Sequence, residues 1–456
     1  MKPFEYKNEA DLIQYAKEAE GKYLHEIDKE NMLENTNVKG KVGHIIEKSY
    51  FGYDINSNAE ADFADVGIEL KATGFTRMKN GQLKAKERLV LNIINYLEEA
   101  DKTFYTSSYW TKNARLLLFF YEYKRNEAGK MDVWNTQIAK VDLFEIPEED
   151  LKIVKQDWQL IHSKILQGEA HLLSEGDTLI LGACTKGTTA ASSMREQPYS
   201  NELAKQRAYS IKQGYMSALV RKLITEEHLV SITSSKEIAE KSIETVLEEK
   251  FSPYYGMTDQ EIAEQEGIVL SKSKARAANL ISAMLGIKGT HLSQIEEFEK
   301  YNIKFKTITL QENGKPKEHM SFENIDFNEY ANVPWEESSL REKFEETKWL
   351  FIVFRKNTEN ENVFKGIKLW NMPETVIENE LKQFYMDTKR ILNDGVILEE
   401  TKRGVKNNLP GAKDNSVCHL RPKGQNASDK VKLPDGQWIT KQCFWLNKVF
   451  YIKIIK

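Results

Sequence analysis

Residues 62–75 read DFADVGIELKATGF, and the reading of these fourteen residues decides the fold. The half from Val66 onward alternates well enough for a strand, with Glu69 and Lys71 at positions i and i+2. Such residues share one face of a strand while Leu70 packs behind. Asp62 stands just before, at a loop-to-strand junction from which it can fold back over the strand's start. Two carboxylates and an ammonium thus converge on one spot. Carboxylate oxygens suit a hard cation such as Mg²⁺, which keeps waters and accepts phosphate oxygen as a ligand. A lysine beside the metal can orient the attacking water or neutralise developing charge. On its own the trio reads equally as a metal site or as a salt-bridged strand edge, because short motifs are common. Glu380-Leu381-Lys382 repeats the tripeptide inside a helical pattern, where i and i+2 point apart. Asp65 competes with Asp62 for the first acid position.

Upstream, VGHIIEKSYFG (42–52) has helical spacing and places Glu47 ahead of the loop that reaches Asp62. Downstream, ERLVLNIINY and ARLLLFFYEY are apolar runs suited to buried strands, and Lys112 precedes the second. EEDLKIVKQDWQLIHSKILQGEA is a long helix. Helices, strands, a helix and more strands make an α/β sheet domain.

After a charged stretch at 226–256, read as a helical linker, the pattern returns in diverged form. IEEFEKYNIKFKTITL follows the opening stretch, REKFEETKWLFIVFRKN follows TKNARLLLFFYEYKRN, and ELKQFYMDTKRILNDG follows IVKQDWQLIHSKILQG. LRPKGQNAS and KQCFWLNKVFYIKI then follow CTKGTTAAS and KQRAYSIKQGYMSAL in the same order. Five pairings in one order indicate duplication. The expected domains are 1–225, catalytic, and 257–456, its degenerate copy. In that copy Glu297, Lys304 and Lys306 stand against Asp62, Glu69 and Lys71. A lysine in place of the central acid puts positive charge where a cation must sit, so the copy should not cut.

Composition sets bounds. The 456 residues carry a net charge of −4, with 29% charged and 40% hydrophobic residues, which fits globular protein. Segment 184–224 nevertheless carries a net +5 and segment 402–456 a net +9. Two basic stretches on an acidic body suggest two polyanion-contacting surfaces. The first residues lack the apolar core of a signal peptide, and the scattered Cys184, Cys418 and Cys443 form no CxxC pair. A reducing cytoplasm without membrane association is the expected setting.

The stretch GHIIEKSYFG…ADFADVGIELKAT resembles the active-site region of the MutH-type nucleases, which have a restriction-endonuclease fold with a D…ExK site. KERLVLNIINY, KQDW, CTKG and QRAYSIKQGYMSALVRK bring the likeness closer to the two-domain, Sau-type members, type II restriction endonucleases that cut at GATC. The resemblance covers nearly the whole chain. It implies Asp62, Glu69 and Lys71 as the catalytic trio, with Asp62 and Glu69 on the metal, Glu47 as the helix acid and Lys112 as a further active-site lysine. It implies Thr185 and Lys186 in a DNA-reading loop, with Tyr209 near an adenine-reading site. The loop departs from the family's Arg-Pro-Lys at Cys184 and Thr185, whereas the second copy keeps Arg421, Pro422 and Lys423. Lys212 is a further expected DNA contact from the first basic stretch. The resemblance also implies Mg²⁺ dependence, double-strand cleavage before the G of GATC and a 5′-phosphate product. Two GATC duplexes are its expected partners, with a DNA-induced dimer and the second copy as allosteric effector. The rival readings are a methyl-directed mismatch-repair nickase, which resembles the first half only, and a non-catalytic DNA-binding regulator.

Overall fold

The computed structural model describes residues 4–34, 40–54, 60–126, 131–186, 193–271, 275–401, 404–424, 426 and 428–455. In the first half the strands are β1 (Glu69–Arg77), β2 (Leu83–Ala85), β3 (Leu89–Ile93), β4 (Arg115–Glu122), β5 (Ile138–Glu145), β6 (Leu181–Thr185), β7 (Met194–Gln197), β8 (Ser200–Lys205) and β9 (Arg207–Ile211). They form a four-stranded sheet in the order β2-β1-β4-β5, a three-stranded sheet β3-β9-β6 and the pair β7-β8. Strand β1 runs parallel to β4 with Glu69 opposite Leu116 and Lys71 opposite Leu118. Strand β5 closes antiparallel to β4.

The segment Leu116–Tyr121 of β4 is buried throughout, as expected of a strand covered on both faces. One face packs on Leu12, Ala16, Ile45, Ile46, Phe51 and Phe63. The helix Glu148–Leu166 buries Ile153, Val154, Trp158 and Ile161, the spacing of a single helical stripe.

The second half repeats this plan with β10 (Ile303–Leu310), β11 (Met320–Asn324), β12 (Lys348–Lys356), β13 (Asn362–Trp370), β14 (Leu398–Thr401), β15 (Gly404–Asn407), β16 (Cys418–Pro422), β17 (Lys430–Lys432), β18 (Trp438–Thr440) and β19 (Gln442–Leu446). Its sheets run β10-β12-β13 and β11-β19-β16. Strand β10 is parallel to β12, with Lys304 opposite Trp349, and β13 is antiparallel. The three-stranded sheets β3-β9-β6 and β11-β19-β16 are antiparallel throughout. The order and sense of pairing of β1-β4-β5 and of β3-β9-β6 recur in the second half, which among the described residues has no partner strand in the place of β2, so the fold is a duplicated α/β unit.

The compact units are Met1–Ser242 with Leu292–Asn302, and Ile243–His291 with Ile303–Lys456. The expected linker at 226–256 therefore straddles the division and folds into the helices Ser235–Lys241 and Ile243–Phe251. Segment 292–302 belongs to the front unit for a physical reason. Lys300 pairs with Asp150 at 3.0 Å, and Asp150 is buried. Arg221, also buried, donates to the Ser293 carbonyl. Gly214 lies so close to this segment that a Cβ there would meet the Glu299 carbonyl oxygen at 2.3 Å.

Candidate active site

Turn geometry delivers the first acid. Phe63 and Ile68 bridge across a short 3₁₀ turn, Ala64–Val66, that ends at Gly67 with φ 64°, a backbone state in which glycine pays no Cβ penalty. The chain thus doubles back and sets Asp62 against the start of β1. The Asp62 N–H donates to Glu69 Oε2 at 3.1 Å, and Asp62 Oδ2 accepts the Leu70 N–H at 3.0 Å. Lys71 Nζ donates to Glu69 Oε1 at 2.6 Å. Lys112, near the end of the helix Ser108–Asn113, brings its ammonium to 3.7 Å from the same oxygen.

Asp62, Glu69, Lys71 and Lys112 therefore meet at one place. Glu69 is buried, while Asp62 and Lys71 are half-buried beside it. Burial pushes the Glu69 carboxyl above its ordinary value; Asp62 adds to the rise, and Lys71 and Lys112 oppose it. A buried acid crowded by a second acid is relieved by a cation between them. Among the described residues no group of three or more His, Cys, Asp and Glu side chains is placed to hold a metal. Two carboxylates with open positions suit a cation that retains water. Glu47 sits half-buried in the π-helical turn Ile45–Tyr50, two elements upstream, and Asp65 is exposed on the turn.

The reading loops differ more from expectation. Thr185 ends β6, and Lys186 follows with its N–H on the Gln206 carbonyl. Both are half-buried; Gly187, the last residue of the expected turn, lies outside the described residues. Tyr209 is fully buried with its hydroxyl on Glu99, and Lys212 is buried with its ammonium on the Glu175 and Thr178 carbonyls. Neither is presented to DNA: both stand on or beside the central strand of a covered sheet. Arg207 and Arg221 are buried too, so three of the seven cations behind the expected basic surface at 184–224 are internal.

In the second half Arg421 and Lys423 are exposed, and both lie over the Trp445 ring, at 5.2 and 5.7 Å. Glu297, matched to Asp62, is buried and spent on local structure: its carboxylate accepts from Ser231 Oγ and from the N–H groups of Ile232 and Thr233.

Sequence reasoning missed two acids that hold the β3-β9-β6 sheet. Asp157, buried, accepts the N–H groups of Leu179, Ile180 and Leu181 where β6 begins. Its signal was present, since it falls on the apolar stripe of its helix between Val154 and Ile161. Glu175, fully buried, pairs with Arg88 at 2.9 Å; nothing in its local sequence marks it.

Against this geometry the relatives can be weighed. The chain is 38% identical over 482 aligned positions, 97% of both chains, to the type II restriction enzyme Sau3AI of Staphylococcus aureus. This protein belongs to the Sau3AI family of type II restriction endonucleases. It is thus a site-specific, DNA-cutting hydrolase. The family model for the DNA mismatch repair enzyme MutH matches residues 51–157 and 290–383, one segment in each half of the Sau3AI-like chain. The DNA mismatch repair protein MutH of Histophilus somni, from strains 2336 and 129Pt, is 24% identical over 181 positions, 39% of this chain and 76% of that one. The mismatch-repair likeness is partial, whereas the Sau3AI likeness spans both units. Among the described residues no helix is long and apolar enough to cross a membrane.

Proposed function

We propose that this enzyme cuts both strands of DNA at GATC in a Mg²⁺-dependent reaction at Asp62, Glu69, Lys71 and Lys112, and that its second unit is a DNA-binding effector. The supporting observation is the meeting of two acids and two lysines on a strand edge, in a chain that matches Sau3AI over its length. Asp62 and Glu69 would hold the ion, and Glu47 would hold a water beside it. The bound ion would supply a Lewis acid and an acidified water. Lys71, now on Glu69 Oε1, would be freed to turn its ammonium to the water or the phosphate if Glu69 took an ion. Lys112 faces the same oxygen and offsets the charge that develops on phosphorus oxygens. Thr185 and Lys186, at the end of β6, stand where a reading loop would begin.

Digestion of a sequenced plasmid with Mg²⁺, followed by mapping of the ends, tests the first claim. Breaks in both strands before the G of GATC are expected; nicks confined to hemimethylated GATC would point instead to a repair-type nickase. The effector claim is tested with Arg421→Ala combined with Lys423→Ala. Cleavage should then respond more weakly to added GATC duplex, and an unchanged response removes the claim. A gel-shift of Glu69→Ala with and without duplex would show whether DNA pairs two copies.

A further inference from the structure

The second unit has lost the acids of the cutting site but kept its lysines. Lys306 occupies on β10 the position of Lys71 on β1, two residues beyond the pair Lys304–Trp349 as Lys71 is beyond Glu69–Leu116. Lys343 follows the helix cap Ser338 by five residues, as Lys112 follows the cap Ser107. Lys423 adds a third ammonium from the end of β16.

These three converge on β11. Lys306 Nζ donates to the Ser321 carbonyl at 2.7 Å. Lys423 Nζ donates to Ser321 Oγ at 3.0 Å and to the Phe322 carbonyl at 3.2 Å. Lys343 pairs with Glu323. The three ammoniums thus fan over three consecutive residues, with Arg421 beyond them over Trp445, whose backbone is opposite Ser321. The Lys306 ammonium lies 4.3 Å from the Phe322 ring centre. Burial pulls its pKa below the ordinary value; Glu323 opposes this, and Lys423 and Lys343 add to it. Crowded like charges beside one carboxylate are relieved by an anion, and they repel a metal. Ammonium groups anchored on three consecutive residues of one strand suit a phosphate, whose oxygens accept several charge-assisted hydrogen bonds.

We propose that the degenerate site is a metal-free phosphate clamp, in which Lys306, Lys343 and Lys423 hold one backbone phosphodiester of the DNA bound by the second unit. The proposal rests on the effector reading above and names the contact that reading lacks. The former cutting centre holds DNA at the place where it once cut.

The experiment measures cleavage of a one-site plasmid by the full chain as a GATC duplex is added. Lys306→Gln and Lys343→Gln should each raise the half-activating duplex concentration roughly tenfold, the loss typical of one charge-assisted hydrogen bond. The loss should be alike for all flanking sequences, and the salt dependence should flatten by about one unit of slope, as for any phosphate contact. Lys306→Arg, which keeps the cation, should recover most of the response and so separates the clamp from misfolding. If Lys306→Gln and Lys343→Gln leave the half-activating concentration unchanged while Arg421→Ala raises it, the clamp is wrong and the effector reading stands. If Arg421→Ala changes nothing either, both fall.

Discussion

The front and rear sites share a frame and differ in the sign of their charges. On β1 an acid leads and a lysine follows; on β10 both positions are lysine. In front, a turn returns Asp62 to the strand; behind, Glu297 is spent on the backbone at 232–233. The same pairing sense and register therefore present an acid and a lysine on β1 in one unit and two lysines on β10 in the other. On the roles proposed above, the difference teaches that one frame can position a phosphate with or without a metal. Chemistry is then added or removed by a few side chains on an unchanged frame.

The largest expected effect tests the front half of this contrast. Glu69→Ala should lower cleavage by roughly three orders of magnitude or more, since several kcal/mol of metal-centred stabilisation is lost. Duplex binding should stay largely intact; cutting at the wild-type rate would place the centre elsewhere. The wild-type rate should also fall with acid through a midpoint above the ordinary 4.5 of a glutamate, because burial raises the Glu69 carboxyl and only its ionised form holds a cation. A pH–rate profile measured with metal well below saturation, where the metal-free carboxyl governs, checks this.

A smaller effect separates the two three-stranded sheets. His419 on β16 is buried, its Nδ1 is 2.6 Å from Asn447 Oδ1, and burial holds its pKa down to about 4. The front sheet has Gly182 at the matching place, opposite Ser210 as His419 is opposite Trp445. The unfolded chain takes up this proton near 6.5, before the folded one does. The contribution is therefore complete above pH 6.5 and is lost as pH falls toward 4, by roughly 3 kcal/mol at most. Thermal unfolding of the wild type and of His419→Gln, compared at pH 7 and 4.5, should show the wild type losing more. Equal losses would mean that the histidine is not held neutral.

The smallest effect is the sharpest. Restoring an acid with Lys304→Glu, in a Glu69→Ala background, should give no cutting above that background in a plasmid assay. Glu297 stays committed to the backbone, and NLISAMLG (279–286), the stretch matched to the helix of Glu47, carries no acid. Appearance of a second cutting centre would show that one charge alone separates the two units.

Much of this was legible in residue order. Alternation placed Glu69 and Lys71 on one face of β1, and helical spacing located Glu148–Leu166 and the helical setting of Glu380 and Lys382. The ordered pairings foretold the repeated sheets. Tyr209 and Lys212 were not legible, because a phenol and an ammonium are surface groups by type. Whether they find a buried carboxylate or two backbone carbonyls depends on elements more than thirty residues away. The strand Arg207–Ile211 is buried throughout, yet RAYSI has no apolar run to announce it. The unit boundary was hidden for a similar reason: Asp150 and Lys300 lie a third of the chain apart in sequence order and next to each other in space.

That last pairing has a consequence for the history of the chain. The eleven residues Leu292–Asn302 are encoded within the second repeat but complete the first. A front lobe ending at residue 242 would leave the Asp150 carboxylate with the hydroxyls of Tyr215 and Ser235 but without its only paired cation, Lys300, among the described residues. Once a duplicated gene has stitched its copies together this way, it cannot shed the spare one by simple truncation. The inactive lobe is then inherited whether or not it is selected, which gives it time to acquire a task of its own.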